Sequence, residues 1–218
     1  LGNAIHGFLA RKKFFISEEK SNDALAKVSF IHNYPGDFPG FPFPFIFTLT
    51  YTLSSKGIFT VNFKCQNTGQ TNMPFACGWH PYFKIANADI SHLEINFSPT
   101  LKYISDAQMI PMAEESVSIP MPVRFSETTL DNVFKLKSQK DHLTELSDRE
   151  SKISLFLKQN SVEFPYLVVF APNSENCVAI EPMTGNTDAF NTGDGLNVLC
   201  PNEEFTSLVE IWIDIAKI

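Results

Sequence analysis

Two neighbouring segments of the chain alternate between apolar and polar residues with the two-residue period of a half-buried β-strand. Residues 47–54 are FTLTYTLS and residues 58–67 are IFTVNFKCQN, so aromatic and aliphatic side chains fall on one face of each segment. The residues between them, 55–57, are SKG, and a short connection that contains glycine is typical of a β-hairpin. The pattern therefore predicts two antiparallel strands joined by a tight turn.

Further strands are predicted along the chain. The alternation returns at residues 153–157 and 209–215, and the apolar runs YLVVFA (166–171) and CVAIE (177–181) predict interior strands. The proline-rich FPGFPFPF (38–45) predicts a loop, and the polar stretch 138–151 predicts a hairpin tip or an exposed edge. No long amphipathic helix is evident. We therefore predict an all-β fold, a large antiparallel β-sandwich, with residues 1–218 in a single domain.

Composition supports this fold and argues against several functions. The chain has 218 residues, and its 21 phenylalanines favour strands, where aromatic rings pack well. The net charge of −7 and the lack of a basic stripe argue against binding to nucleic acid or to an anionic membrane surface. The four cysteines form no CxxC pair, so nothing in the sequence resembles a structural zinc site. Reduced thiols in a cytoplasmic protein are the simplest interpretation, with disulfide pairing left open.

His80 is the first candidate for chemistry. It lies in ACGWHPYFKI (76–85), where Trp79, Tyr82 and Phe83 surround it in sequence. A histidine packed in an aromatic core is as good an interpretation as a functional one. Its position after a loop and before a strand nevertheless suits the lining of a cavity. A site of this kind would bind a molecule that is partly apolar and partly hydroxylated.

Glu181 is the second candidate, because it ends an apolar run. A carboxylate at the end of a core strand is costly unless it is paired or faces a cleft, although a solvated charge at the rim is equally plausible. We expect Pro182 to end this strand. His6 and Asp131 have the simpler interpretations of a loop histidine and a turn or cap residue. No HExxH or His-x-His spacing indicates a metal.

The remaining histidines are in sequence contexts that look polar or loop-like, and we assign them no role. They are His32, His92 and His142.

Four sequence pieces, in order, resemble the aldose 1-epimerase (galactose mutarotase-like) family. They are NAIHGF (3–8), NTGQTNMPFACGWHPYF (67–83), TLDNVF (129–134), and CVAIEPMTGNTDAFN (177–191) followed by LCPNEEF. The resemblance implies a large antiparallel β-sandwich, a sugar substrate and no metal or organic cofactor. It also implies further strands and a substrate-binding arginine upstream of Leu1, so we expect this chain to lack its N-terminal strands.

The resemblance also implies a role for each candidate. His80 matches the general acid that protonates the ring oxygen, and Glu181 matches the general base that deprotonates the anomeric hydroxyl. His6 and Asp131 match residues that bind sugar hydroxyls. Because hydrogen bonds reach about 2.6–3.2 Å, we expect the functional atoms of His80 and Glu181 to lie roughly 5–8 Å apart. Aromatic side chains beside them would stack on the sugar.

Three alternatives accompany the mutarotase hypothesis. The first is a carbohydrate-binding protein without turnover. The second is a hexose-6-phosphate 1-epimerase, which is less favoured because the only arginines are Arg11, Arg124 and Arg149. The third is a glycosidase with Glu181 and Asp131 as its carboxylate pair, which gives His80 no role. The oligomeric state and the preferred sugar do not follow from the sequence.

Overall fold

The fold is nearly all β, as the sequence predicts. A computed structural model describes residues 6–7, 9–172 and 175–215. Its strands pair antiparallel, and the helical segments are a four-residue helix, α1 (Ala189–Thr192), and two 3-10 turns, Leu9–Arg11 and Ile90–His92. Within the described ranges, no helix is long and apolar enough to cross a membrane.

The chain divides into two compact units. The first comprises the chain up to Phe75 together with Val198–Leu208, and the second comprises Ala76–Asn197 together with the chain from Val209 onward. The prediction of a single domain remains a prediction.

The first unit contains the predicted hairpin. Its strands are β1 (Phe15–Ser21), β2 (Leu25–Tyr34), β3 (Phe45–Ser54), β4 (Phe59–Asn67) and β5 (Met73–Phe75). Strands β1 to β4 pair in sequence order, and Leu53 lies opposite Phe59 at the turn. Gly57 adopts φ +78° and donates its N–H to the carbonyl of Ser54 at 3.0 Å. Glycine is favoured there because a side chain disfavours positive φ.

The proline-rich loop before β3 is also confirmed, except for its last residue. Phe38 and Phe41 form an isolated bridge, and the hydroxyl of Tyr34 donates to the carbonyl of Phe41 at 2.8 Å. Phe45 already belongs to β3 and is 4% exposed.

The second unit contains two antiparallel sheets. Its strands are β6 (Tyr82–Phe83), β7 (Leu93–Asn96), β8 (Pro99–Ser105), β9 (Pro111–Ser116), β10 (Val123–Arg124), β11 (Asp131–Leu136), β12 (His142–Asp148), β13 (Ile153–Gln159), β14 (Tyr166–Phe170) and β15 (Val178–Met183). Strand β16 (Asn197–Leu199) begins at the end of this segment but belongs mainly to the first unit, where it pairs with β5, and β17 (Glu204–Ile215) enters the second unit at Val209. The strand orders here are β17-β13-β12-β7-β10 and β6-β15-β14-β11-β8-β9. The predicted interior strands YLVVFA and CVAIE are β14 and β15.

The prediction of a hairpin tip or exposed edge at residues 138–151 is wrong for half of this stretch. Residues 149–151 do lie in the turn that joins β12 to β13, but residues 142–148 form β12, an interior strand between β13 and β7. Its alternate residues are buried, namely His142, Thr144, Leu146 and Asp148. Three of these four inward positions are polar, which hid the alternation of the strand. His142 is therefore a core residue and not a loop histidine.

Only some of the alternating apolar residues predicted at 209–215 are buried. Val209 is fully buried and Ile211 is 8% exposed, but Ile213 and Ile215 are 62% and 64% exposed. The strand itself is regular to its end, because Ile215 still pairs with Ile153 of β13.

Candidate active site

The pairing of the short strand β6 with β15 brings His80 opposite Glu181. Tyr82 is the partner of Ala179, and Gly78 forms an isolated bridge with Met183. In an antiparallel pairing, residue numbers rise along one segment as they fall along the other. The position halfway between these two pairs therefore places residue 80 opposite residue 181. Directly opposite residues project to the same face of a sheet. The register alone therefore explains how two residues far apart in the chain meet.

The imidazole and the carboxylate are in direct contact. Nε2 of His80 lies 3.2 Å from Oε1 of Glu181, with the side chains 29% and 12% exposed. The expectation of a separation of 5–8 Å is wrong. That expectation assumed that the two side chains contact the substrate and not each other. A nearly buried carboxylate, however, is stabilised by contact with a neighbouring hydrogen-bond donor.

Backbone hydrogen bonds fix the segment that carries His80 against the end of β15. The N–H of Trp79 donates to the carbonyl of Pro182 at 3.1 Å, and the N–H of Thr184 donates to the carbonyl of Cys77 at 2.8 Å. The approach is close at Gly78, where an added Cβ would lie 2.9 Å from Cγ of Met183. Glycine at this position therefore allows the close contact between the segment and the strand.

The expectation that Pro182 ends its strand is wrong, because β15 continues to Met183. In a strand, the N–H and C=O of one residue point to the same side. The carbonyl of Pro182 faces Trp79, so its missing N–H also lies on that side and leaves the pairing with β14 intact. Proline is tolerated here because it removes no hydrogen bond of the β14–β15 ladder.

Glu181 is poised to exchange a proton near neutral pH. Burial and, secondarily, the negative charge of Asp131 raise its pKa to about 7. Asp131 is the exposed first residue of β11 and lies opposite Phe170 of β14, two positions from the Val133–Val168 pair. Since Val168 in turn lies opposite Glu181, the two carboxylates share one sheet face.

Of the three aromatic residues around His80 in sequence, Tyr82 makes the ring contact. Its ring centroid lies 4.9 Å from that of the imidazole, with the planes at 29°. Phe83 lies opposite Val178 and so projects to the other face of the sheet. The aromatic cluster of the sequence is thus divided between two faces.

Comparison with known proteins identifies the family. The family model for aldose 1-epimerase matches residues 2–212. The chain belongs to the aldose 1-epimerase family. A search of curated protein sequences finds no match.

Solved structures show the same fold as this aldose 1-epimerase family member. A galactose mutarotase-like protein from Clostridium acetobutylicum superimposes with a TM-score of 0.86 at 21% identity, over 97% of this chain and 69% of that one. An aldose epimerase homologue from C. elegans gives 0.77 at 15%, over 94% and 70%. Galactose 1-epimerase from Lactobacillus acidophilus gives 0.76 at 15%, over 94% and 67%. This family member thus spans about two thirds of each of these structures.

A second polar cluster on the sheet face of Glu181 was not predicted from the sequence. Its centre is Asp194, which accepts hydrogen bonds from the hydroxyls of Tyr103, at 2.9 Å, and Tyr166, and from the side-chain amide of Asn186, at 3.0 Å. Burial opposes ionisation of Asp194, but these hydrogen bonds outweigh it and its pKa lies below the usual range. The cluster ties the loop after β15 to strands β8 and β14. Its sequence signal was weak, because an isolated Asp between glycines also fits a simple turn.

Three of the four predicted residues, His80, Glu181 and Asp131, belong to the second unit. His6 is an exposed residue of the first unit, in a bend with φ +62°, and residues 3–5 and 8 of its motif lie outside the described residues. Its role remains a prediction.

A groove of about 440 Å³ in the first unit, beside Tyr51 and Phe59, contains none of the predicted site residues. Among the described residues, no cluster of three or more His, Cys, Asp or Glu is arranged to hold a metal ion. The four cysteines all lie within the described ranges, and no disulfide joins any two of them there.

Proposed function

We propose that this protein is an aldose 1-epimerase that interconverts the α and β anomers of a hexose. The observation that supports it best is the contact between His80 and Glu181, together with the raised pKa of Glu181. Acid–base catalysis is most efficient when the pKa of the catalytic group lies near the working pH. An ordinary surface carboxyl, with a pKa of about 4.3, would be a weaker base.

In the proposed reaction, Glu181 removes the proton from the anomeric hydroxyl and His80 delivers a proton to the ring oxygen. The C1–ring oxygen bond breaks and leaves a free aldehyde. Rotation about C1–C2 exposes the other face, and reclosure reverses both proton transfers. Both oxygens are bonded to the same carbon, so the acid and the base must be neighbours. The sugar would bind by inserting these oxygens where the imidazole now meets the carboxylate.

The proposed substrate is an unphosphorylated aldohexose. Asp131 and Glu181 place negative charge on this sheet face, and a phosphate group would be repelled by both carboxylates. Lys135, in the neighbouring strand β11, has its ammonium 3.9 Å from Oδ1 of Asp194. That cation is already paired. We assign Asp131, and His6 by family resemblance, to sugar hydroxyls.

Polarimetry of freshly dissolved α-glucose or α-galactose tests the proposal. We expect the wild type to accelerate mutarotation, and Glu181→Gln and His80→Asn each to lower kcat by about 10²–10⁴-fold, the usual contribution of one proton transfer. Matched controls are Glu19→Gln, on an exposed strand of the first unit, and His92→Asn, whose imidazole pairs with Glu150 at the surface. Neither control should change the rate.

Two results would contradict the proposal. If the wild type binds sugar in calorimetry but leaves the rate of mutarotation unchanged, the protein is a carbohydrate-binding protein. If it releases the aryl group from an aryl glycoside, and this activity requires both Glu181 and Asp131, it is a glycosidase.

A further inference from the structure

Tyr82 is an exposed aromatic residue that burial does not explain. It is 51% exposed and lies in β6, a strand of two residues at the edge of its sheet. Its partner across the ladder is Ala179, which is fully buried and too small to cover a phenol ring. Among the described residues, no hydrogen bond of the Tyr82 hydroxyl is found. The contact that distinguishes this side chain is therefore one that it makes with the segment just before its own strand.

That contact is with the imidazole of His80. The two rings are nearly parallel, at 29°, with their centroids 4.9 Å apart. Residues 80 and 82 lie on the same face, two positions apart, so the tyrosine covers one flat side of the imidazole. The imidazole edge, at Nε2, meets Glu181. Stacking on a ring face restricts rotation of that ring about its Cβ–Cγ bond, and this rotation is what would turn Nε2 away from the carboxylate.

The electrostatics agree with this placement. Desolvation and, secondarily, the charge of Glu181 raise the pKa of Tyr82. The phenol is therefore near enough to sense the carboxylate, and it stays protonated and neutral at the pH at which Glu181 exchanges its proton. A neutral ring leaves the charge balance of the pair unchanged.

We propose that Tyr82 is a positioning residue that holds the plane of the His80 imidazole so that Nε2 faces Glu181. This inference rests on the proposed function, because the benefit of the fixed plane is an aligned proton transfer. The ring face provides the effect, and the hydroxyl does not. Phenylalanine should therefore replace tyrosine, and an aliphatic side chain should not.

The test compares Tyr82→Phe, Tyr82→Leu and Tyr82→Met in the mutarotation assay. Misalignment of a catalytic group is costly, so we expect kcat to fall about 10-fold or more in the Leu and Met variants with a smaller change in KM. The Phe variant should stay within about 2-fold of wild type. Phe38→Leu, at an aromatic residue 58% exposed in the first unit, is the matched control and should leave kcat unchanged.

A second readout does not depend on turnover. In proton NMR spectra, the imidazole signals of His80 should carry the ring-current shift of the stacked tyrosine, retained in Tyr82→Phe and lost in Tyr82→Leu. Two aliphatic variants are used so that poor folding of one leaves the other for measurement. Their melting temperatures should stay near that of the wild type, because the side chain is half exposed.

The outcomes separate the inference from the proposed function. A wild type without mutarotase activity contradicts the proposed function. An active wild type whose Leu and Met variants keep full kcat overturns the inference. A Phe variant as impaired as Leu also overturns it, because the hydroxyl would then be the active part. A rise in KM alone overturns it as well, because Tyr82 would then only contact the sugar.

Discussion

The second unit contains two histidines, His80 and His142, that differ in what surrounds the imidazole. In one region, His80 lies opposite Glu181, and both side chains keep some exposure to solvent. In the other, His142 of β12 lies opposite Gln159 of β13 and is fully buried. Within the part of the chain that the structure describes, neither ring nitrogen of His142 has a hydrogen-bond partner, and the same holds for Oγ1 of Thr144 and Oε1 of Gln159.

Both regions contain a titratable group whose charged form is disfavoured by burial, and the pKa shifts point in opposite directions. Burial raises the pKa of Glu181 to about 7 and lowers the pKa of His142 to about 4. Only Glu181 touches a second titratable side chain, so only there does desolvation prepare a proton for transfer. A perturbed pKa indicates a catalytic role when the group has a neighbour that can exchange its proton and is reachable from solvent. Without these, the burial that perturbs the pKa only lowers the stability of the fold.

The largest effect that should sharpen this comparison is on acid stability. The pKa of His142 is depressed in the folded state, so its contribution to stability is present above its unfolded pKa of about 6.5. It is lost as the pH falls toward 4, because the unfolded chain then binds the proton more tightly. Replacing His142 by Leu removes this penalty. Relative to wild type, the free energy of unfolding of His142→Leu should rise by about 3 kcal/mol between pH 7 and pH 4.

Urea unfolding at a series of pH values measures this difference. The matched control is Leu146→Ala, at a fully buried residue of the same strand that does not titrate. The stability that this variant loses relative to wild type should not vary with pH over the same range. Equal pH dependence of His142→Leu and wild type would contradict the burial of an unpaired imidazole. Mutarotation by His142→Leu should remain at the wild-type rate, because this region takes no part in the proposed reaction.

Glu181 should show the reverse pH dependence, with a somewhat smaller effect. Its folded pKa is raised, so the folded state is unpenalised below pH 4.5 and loses stability as the pH rises toward 7. Glu181→Gln removes this penalty while keeping a side chain that can hydrogen-bond His80. We expect the variant to gain about 2–3 kcal/mol over wild type between pH 4 and pH 8, while losing its activity.

The same unfolding measurements test this expectation. Glu19→Gln, at an exposed position, should show no comparable gain. If Glu181→Gln is instead less stable than wild type at pH 8, the carboxylate stabilises the fold and the proposed cost of burying its charge is absent. A gain in stability with a loss of activity is the trade-off that a catalytic site commonly shows.

The sequence predicted the parts of this comparison that depend on strand patterns. The hairpin around Gly57 and strands β14 and β15 were identified because apolar runs and glycine turns are local signals. The proximity of His80 and Glu181 was expected from family resemblance, but their direct contact was not, because the register of β6 on β15 is set by long-range pairing. The burial of His142 was missed because polar residues at inward positions imitate a loop. The Asp194 cluster was missed because it joins three distant segments.

The smallest effect concerns Asp131, whose charge is the secondary cause of the raised pKa of Glu181. Asp131→Asn should lower that pKa and move the acidic limb of the pH–rate profile to lower pH. The decrease in the pKa of Glu181 should be smaller than the whole rise from its ordinary value, because burial is the larger cause of that rise. The decrease should also be smaller in high salt, because Asp131 is exposed.

NMR titration of the Glu181 carboxyl measures this change in pKa without turnover. Asp23→Asn, an exposed aspartate of the first unit, should leave the titration unchanged. An unchanged titration in Asp131→Asn would leave desolvation as the only cause, and the site would then differ from the His142 region by its imidazole partner alone.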